Sequence, residues 1–66
     1  MFPNLNAEQA RHNHTNKDVA ELLGMSRQLY ERNKNVGGFS VKQIWFLCNL
    51  YGAKFEYLFK MAENTA

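Results

Sequence analysis

The segment from Thr15 to Arg32, TNKDVAELLGMSRQLYER, most constrains the fold, because it carries the start and stop signals of two short helices. Thr15 and Asp18 match the S/T-x-x-D/E capping pattern that begins a helix. Gly24 is suited to end that helix, because a left-handed backbone costs glycine least. Ser26 then provides the cap of a second helix. The sequence therefore predicts two helices joined by a tight turn.

Similar signals divide the rest of the chain into three further helices. They are predicted at about 5–13, 41–51 and 54–62, on either side of the helix pair at about 15–34. No useful β-type alternation, internal repeat or low-complexity segment interrupts this pattern. We therefore expect one all-α domain over residues 1–66, with a frayed tail at about 63–66.

Length and charge narrow the classes of function. A chain of 66 residues allows one domain with a small core. Its net charge is +2, and the excess lies in residues 1–42, whereas residues 43–66 are balanced. This distribution favours a nucleic-acid partner weakly. The single cysteine, Cys48, rules out an internal disulfide and suits a reducing bacterial cytoplasm, and no apolar stretch approaches the ~20 residues of a membrane span.

The second helix of the pair presents hydrogen-bonding side chains on one side. Arginine pairs with guanine O6 and N7 in the major groove, and glutamine pairs with adenine N6 and N7. A leucine at the edge of such a face suits a thymine methyl group. The alternative is an ordinary solvated helix face. The predicted base-reading residues are Arg27, Gln28, Leu29 and Arg32.

Contacts to DNA phosphates are expected on either side of this helix. The free N–H groups at the start of the first helix of the pair suit an anion, and hydroxyl, amide and ammonium groups nearby add donors. Solubility alone is the alternative explanation for such residues in loops. The predicted backbone contacts are Thr15, Asn16, Lys17, Ser26, Tyr30, Lys34, Asn35 and Lys42.

Aromatic residues near the carboxyl end suggest a protein interface. Trp45 and Phe46 are neighbours on one helix and cannot both face the same core. Together with Tyr57 and Phe59 they predict an exposed apolar patch that suits a dimer or another protein. The alternative is that one aromatic ring covers the small core.

The sequence contains few of the residue patterns that are typical of an enzyme or a metal site. His12 and His14 have no further ligand near them in the sequence, and two imidazoles alone make a poor metal site. No Ser-His-Asp arrangement, carboxylate pair or phosphate loop is recognisable. We therefore expect a protein that is not an enzyme and that holds neither cofactor nor metal.

The stretches DVAELLGMSRQLYE and FSVKQIWFLCNLYGAKFEYLF, with the opening FPNLNAEQAR, resemble the phage Cro/repressor helix-turn-helix family. The likeness is greatest to short Cro-like proteins of Gram-positive phages and prophages. It implies a five-helix lambda-repressor-like domain that usually binds a two-fold operator as a dimer. The family's positions fall on Ser26 as the cap, Arg27 and Gln28 as first base readers, Leu29 near a thymine methyl, and Arg32 one turn later. Asn33 and Lys34 depart from the aliphatic residue and glutamate often found there.

These observations lead to the expectation of a transcriptional repressor in a phage lysis–lysogeny switch. Its partners would be double-stranded operator DNA and a second copy of the chain, in the nucleoid of a bacterial host. One alternative is an antirepressor that binds a phage repressor protein instead of DNA. A toxin–antitoxin or structural component with the same fold is a third.

Overall fold

The computed structural model describes residues 1–62, which form five α-helices and no strand. The all-α class is therefore confirmed for this part of the chain, and the tail predicted at 63–66 lies outside the described residues. None of these helices combines the length and the apolar character needed to cross a lipid bilayer. The helices are Pro3–Arg11 (α1), Asn16–Leu23 (α2), Arg27–Val36 (α3), Val41–Tyr51 (α4) and Phe55–Leu58 (α5).

Local capping sets the ends of α2 and the start of α3, as the sequence predicts. The Thr15 hydroxyl accepts a hydrogen bond from the Asp18 backbone N–H at 3.1 Å, and the Asp18 carboxylate accepts one from the Thr15 N–H at 2.9 Å. The Ser26 hydroxyl caps α3 by accepting from the backbone N–H of Leu29 at 3.1 Å. Gly24 ends α2 with a φ of 70°, in the left-handed region. Both termini of the α2–α3 turn are therefore fixed by side-chain and backbone chemistry.

The first and last helices differ from the prediction. The first was expected at about 5–13, but α1 begins at Pro3, because a proline at the first helical position loses no hydrogen bond there. It ends at Arg11, and Asn13 adopts a positive φ of 57° in the connection to α2. The last was expected at about 54–62, but α5 comprises only Phe55–Leu58.

Every helix contributes to one core. Its fully buried large side chains are Leu5, Val19, Tyr30, Leu47 and Leu58, one from each helix. Burial of each aliphatic side chain contributes roughly 1.5–3 kcal/mol. Because Tyr30 points inward from α3, the opposite face of α3 is directed to solvent.

Candidate nucleic-acid interface

The outer face of α3 carries all four predicted base-reading residues. Arg27, Gln28 and Arg32 are exposed, and Leu29 keeps 44% of its surface in contact with solvent. Gln28 and Arg32 lie one helical turn apart, and Arg27 and Leu29 flank Gln28 along the chain. The face therefore combines two guanidinium groups, an amide and an apolar edge, which are the groups that read base edges in a major groove.

The packing of α2 against α3 places Lys17, one of the residues predicted to bind phosphate, beside this face. α2 packs mainly against α3, and the backbone N–H of Met25 donates to the Ala20 carbonyl at 2.9 Å across the turn. A cleft between the two helices is lined by the polar residues Lys17, Glu21, Arg27 and Gln28 together with Ala20 and Met25. Lys17 is exposed, so its ammonium group lies where it can neutralise a phosphate while α3 contacts bases.

The start of α2 has fewer free hydrogen-bond donors for a phosphate than the sequence suggests. The Thr15 hydroxyl is occupied by the capping box, in which it accepts a hydrogen bond from the Asp18 backbone N–H. The hydrogen bond from the Thr15 backbone N–H, followed by that of the Thr15 side chain, holds the pKa of the Asp18 carboxyl below its usual value. An ionised carboxylate therefore stands at the end of the helix where an anion would approach. The backbone N–H groups of Asn16 and Lys17 and the Lys17 side chain remain as donors. The Ser26 hydroxyl is likewise engaged in capping α3.

Two further predicted phosphate contacts are instead used inside the protein. The Lys34 ammonium donates to Gln9 Oε1 at 3.1 Å and to Asn16 Oδ1 at 2.9 Å, and it lies 5.3 Å from the centre of the Tyr30 ring. Asn16 Nδ2 donates to Glu31 Oε2 at 3.0 Å. Partial burial lowers the pKa of Lys34. The prediction that the Asn16 and Lys34 side chains face DNA is corrected here, because their polar atoms join α1, α2 and α3.

Tyr30 also lies inside the protein and not at the predicted interface. Its side chain is fully buried, and its hydroxyl donates to Gln9 Oε1 at 2.6 Å. Burial raises the pKa of this phenol well above its ordinary value. The hydroxyl therefore has no access to a phosphate, and the contact expected of Tyr30 is wrong for this conformation.

Gln9 is the residue that the sequence analysis missed. It is buried on α1, and its amide nitrogen donates to the His14 carbonyl at 3.2 Å and to Asn16 Oδ1 at 3.0 Å. Its oxygen receives the bonds from Tyr30 and Lys34. The sequence alone does not place Gln9 beside Tyr30 or Lys34, because these partners on α3 are more than twenty positions away. A polar residue on the inward side of α1, close to Leu5, was the one available signal.

The four aromatic residues predicted to form a protein interface have different surroundings. The Tyr57 hydroxyl donates to the buried Glu8 carboxylate at 3.0 Å, and this bond raises the pKa of Tyr57. Phe59 is half-buried, and its ring packs against Phe2, Phe39 and Phe55. Phe59 therefore belongs mainly to the core, whereas Tyr57 is held by Glu8 and is still 41% exposed. Phe46 is 39% exposed, and Trp45, at 66%, is exposed on α4.

The two histidines pack with Tyr51. The His14 Nδ1 atom lies 3.0 Å from the Tyr51 hydroxyl, and the His12 and Tyr51 ring centres are 4.9 Å apart. Among residues 1–62 no three His, Cys, Asp or Glu side chains are grouped in a way that would hold a metal ion. The His12–His14 pair thus has a packing role at the end of α1.

The candidate interface that emerges consists of the exposed α3 face with Lys17, and with Asn35 and Lys42 exposed at the end of α3 and the start of α4. No protein family, characterised protein or solved structure matches this chain at a significant level. The assignment of function therefore depends on the geometry and chemistry of these residues.

Proposed function

We propose that this protein is a sequence-specific DNA-binding transcriptional regulator that inserts α3 into the major groove of operator DNA. The observation that carries the proposal is the exposed set of Arg27, Gln28 and Arg32 on a helix that is capped by Ser26 and packed against α2. A lambda-repressor-like helix-turn-helix uses its second helix in this way, while the first crosses the DNA backbone. No cofactor or catalytic step is needed for such a role.

The mechanism follows from the donors that the surface presents. Arg27 and Arg32 suit guanine, Gln28 suits adenine, and Leu29 suits a thymine methyl group. Lys17, Asn35 and Lys42, with the backbone N–H groups at the start of α2, would fix the position of the protein on the phosphates without reading sequence. A dimer covering a promoter operator would exclude RNA polymerase. The resemblance to Cro-like proteins supports a role as repressor in a phage or prophage lysis–lysogeny switch inside a bacterial cell.

Selection from a randomised DNA pool tests the proposal directly. The bound sequences should converge on a consensus, and fluorescence anisotropy on that consensus should show log affinity falling linearly with log salt. The slope should be about −0.9 for each phosphate contact. A two-fold consensus indicates a dimeric reader, and a single half-site indicates a monomeric one. No enrichment above salt-sensitive background would contradict the proposal.

The exposed Trp45 side chain favours a second candidate function, that of an antirepressor. Tryptophan is enriched among residues that dominate protein–protein binding energy. In this case the chain would bind a phage repressor protein through its apolar surface. Tight binding to a purified phage repressor together with no affinity for any selected DNA would establish this candidate over the first.

A further inference from the structure

Glu31 lies beside the predicted base-reading residues of α3 but carries a negative charge. It follows Arg27 by four residues and Gln28 by three, so the three side chains occupy neighbouring positions on one side of the helix. Glu31 is half-buried, whereas Arg27 and Gln28 are exposed. A carboxylate at this position can repel DNA phosphates or accept a hydrogen bond from a base. The way in which the carboxylate is held decides between these two effects.

Asn16 holds the Glu31 carboxylate at the junction of α2 and α3. The Asn16 Nδ2 atom donates to Glu31 Oε2 at 3.0 Å. Its Oδ1 atom accepts from Lys34 Nζ at 2.9 Å and from Gln9 Nε2 at 3.0 Å. Only one orientation of the Asn16 amide satisfies all three bonds, because Oδ1 meets two donors and Nδ2 meets an acceptor. The carboxylate is therefore fixed before DNA binds, and less side-chain freedom is lost when it makes a contact.

The same amide links this carboxylate to a positive charge. The Lys34 ammonium lies on the other side of the Asn16 amide and offsets the negative charge of Glu31. Burial lowers the pKa of Lys34, and the Glu31 carboxylate acts against this change. Repulsion of a nearby phosphate by Glu31 is thereby reduced. Since Oε2 is bonded to Asn16, Oε1 is the atom placed to accept from a ligand.

Cytosine is the base whose major-groove edge best complements a carboxylate. Its N4 amino group is a donor, whereas guanine presents the acceptors O6 and N7, and thymine presents the acceptor O4. Adenine has an N6 donor, but its N7 acceptor lies next to it and would repel a carboxylate. Arg27, one turn earlier on α3, suits the guanine acceptors. The two residues together therefore suit a site that contains both G and C.

We infer that Glu31 is a further specificity-determining residue, which reads cytosine N4 through Oε1, and that Asn16 is a positioning residue that acts through Glu31. The inference rests on the proposed function, since it requires α3 to lie in the major groove. It gives the Asn16 side chain a role in DNA recognition without a contact to DNA.

Glu31→Gln tests the base contact with almost no change in shape. The amide oxygen can still accept from Asn16, but an NH2 group then replaces Oε1 and donates where the carboxylate accepted. On operators altered at single bases, the preference for cytosine at one position should fall at least about fivefold, as measured by anisotropy competition. Glu56→Gln removes the same charge on α5, which packs against α1 and α4, and should leave this preference unchanged.

Asn16→Ala tests the positioning role. It releases the Glu31 carboxylate and should weaken the cytosine preference at the same base position. In the Glu31→Gln background it should cause no further change in the affinity ratio at that position. A purely structural role would lower binding to all operators alike and leave this ratio unchanged in both backgrounds. A cytosine preference that survives Asn16→Ala would overturn the positioning role.

Two results with Glu31→Gln would overturn the inference. One is a set of base preferences identical to those of the natural chain. The other is an equal rise in affinity for every duplex, since Glu31 then only repels phosphates. Failure of the proposed function is a different result, because the natural chain would then select no consensus. Failure of this inference alone leaves a consensus whose base preferences respond to Arg27→Ala but not to Glu31→Gln.

Discussion

Lys34 and Lys17 show how two residues of one type take different roles within one small domain. The Lys34 ammonium is shared between Gln9 on α1 and Asn16 on α2, whereas the Lys17 ammonium extends into solvent beside Arg27. Hydrogen bonds from a charged donor to partly buried acceptors are worth more than exposed ones. At the scale of single residues, surroundings therefore separate the groups that stabilise the fold from those that are available to a ligand.

Replacing the two lysines by methionine should separate stability from DNA affinity. Lys34→Met removes two charge-assisted hydrogen bonds and should lower the free energy of unfolding by about 1–2 kcal/mol. Lys17→Met should change stability by less than about 0.5 kcal/mol, as expected of an exposed site, yet weaken binding to all DNA sequences alike. Chemical denaturation and anisotropy on two unrelated duplexes measure both effects. Equal losses of stability in the two variants would contradict the different roles assigned to them.

Arg27→Ala and Gln28→Ala should relax sequence preference. Each bidentate contact discriminates against a wrong base by about 1–3 kcal/mol, so the affinity ratio between consensus and altered sites should fall correspondingly at one base position for each variant. Binding to non-specific DNA should fall much less. Competition with operators altered at single bases measures this ratio. An unchanged sequence preference in both protein variants would contradict the base-reading role of α3.

Alkaline pH should destabilise the protein partly through Tyr51. Burial, reinforced by the Glu8 carboxylate, raises the pKa of Tyr51 to about 12 from its ordinary value of 10. The folded state thus holds this proton more tightly than the unfolded state, and stability present below pH 10 is lost as pH rises to about 12. Tyr51→Phe should make this decline shallower, with the rest arising from the other groups whose pKa is raised in the folded state, Tyr30, Tyr57 and Cys48. Denaturant unfolding at several pH values measures the slopes, and parallel slopes would refute this assignment.

At the scale of elements, the turn between α2 and α3 sets how the candidate recognition helix is presented. Gly24 holds a left-handed backbone there, and an added Cβ would meet no atom within 4 Å. Any cost of a side chain at this position is therefore conformational and does not come from a clash. The turn can be probed without disturbing the packing around it.

Gly24→Ala should lower the free energy of unfolding by about 1 kcal/mol, because alanine is disfavoured in the left-handed region. Gly24→Asn should cost less, since asparagine tolerates this conformation better. Thermal unfolding of the two variants beside the natural chain provides the measurement. An alanine variant as stable as the natural chain, or an asparagine variant that is the weaker of the two, would be incompatible with the turn described here.

Local signals account for the parts of the fold that the sequence predicts well. The caps of α2 and α3, Thr15 and Ser26, are predictable because each side chain accepts its hydrogen bond from a backbone N–H only three residues further on. The exposed face of α3 follows from the same local register. The internal roles of Asn16, Tyr30 and Lys34 could not be predicted from the sequence. Their side chains form hydrogen bonds with Gln9, which lies on another helix. The short extent of α5 is likewise not signalled by the apolar spacing of its residues.

At the scale of the whole molecule, the dimensions of the protein are compatible with the proposed binding of two copies to one operator. The protein measures 36 × 24 × 23 Å, so a single copy presents one α3 and spans about one half-site. Two half-sites read from the same side of B-DNA lie about 34 Å apart. Two molecules of this size in contact can place their centres at such a separation. The dimension of the domain and the repeat of the double helix are therefore compatible.

Changing the spacing of a selected two-fold operator should test this arrangement. Inserting about five base pairs, or half a helical turn, between the half-sites places the second half-site on the opposite side of the duplex. The natural chain should then lose its advantage for two half-sites over one. Anisotropy on both duplexes measures this, and a natural chain indifferent to spacing would exclude a rigid dimer.

The short helices and their local caps also affect how quickly the protein folds after synthesis. Helical domains rich in contacts between neighbours along the chain fold in microseconds to milliseconds. Most contacts in this protein are of that kind, such as those between α2 and α3, although α1 also packs against α5. A ribosome needs roughly 50–200 ms to add one residue, taking a synthesis rate of about 5–20 residues per second. Once the last helix is free, folding should therefore finish before one further residue could be added. The delay between expression and regulation would then be set by synthesis and by the search for the operator.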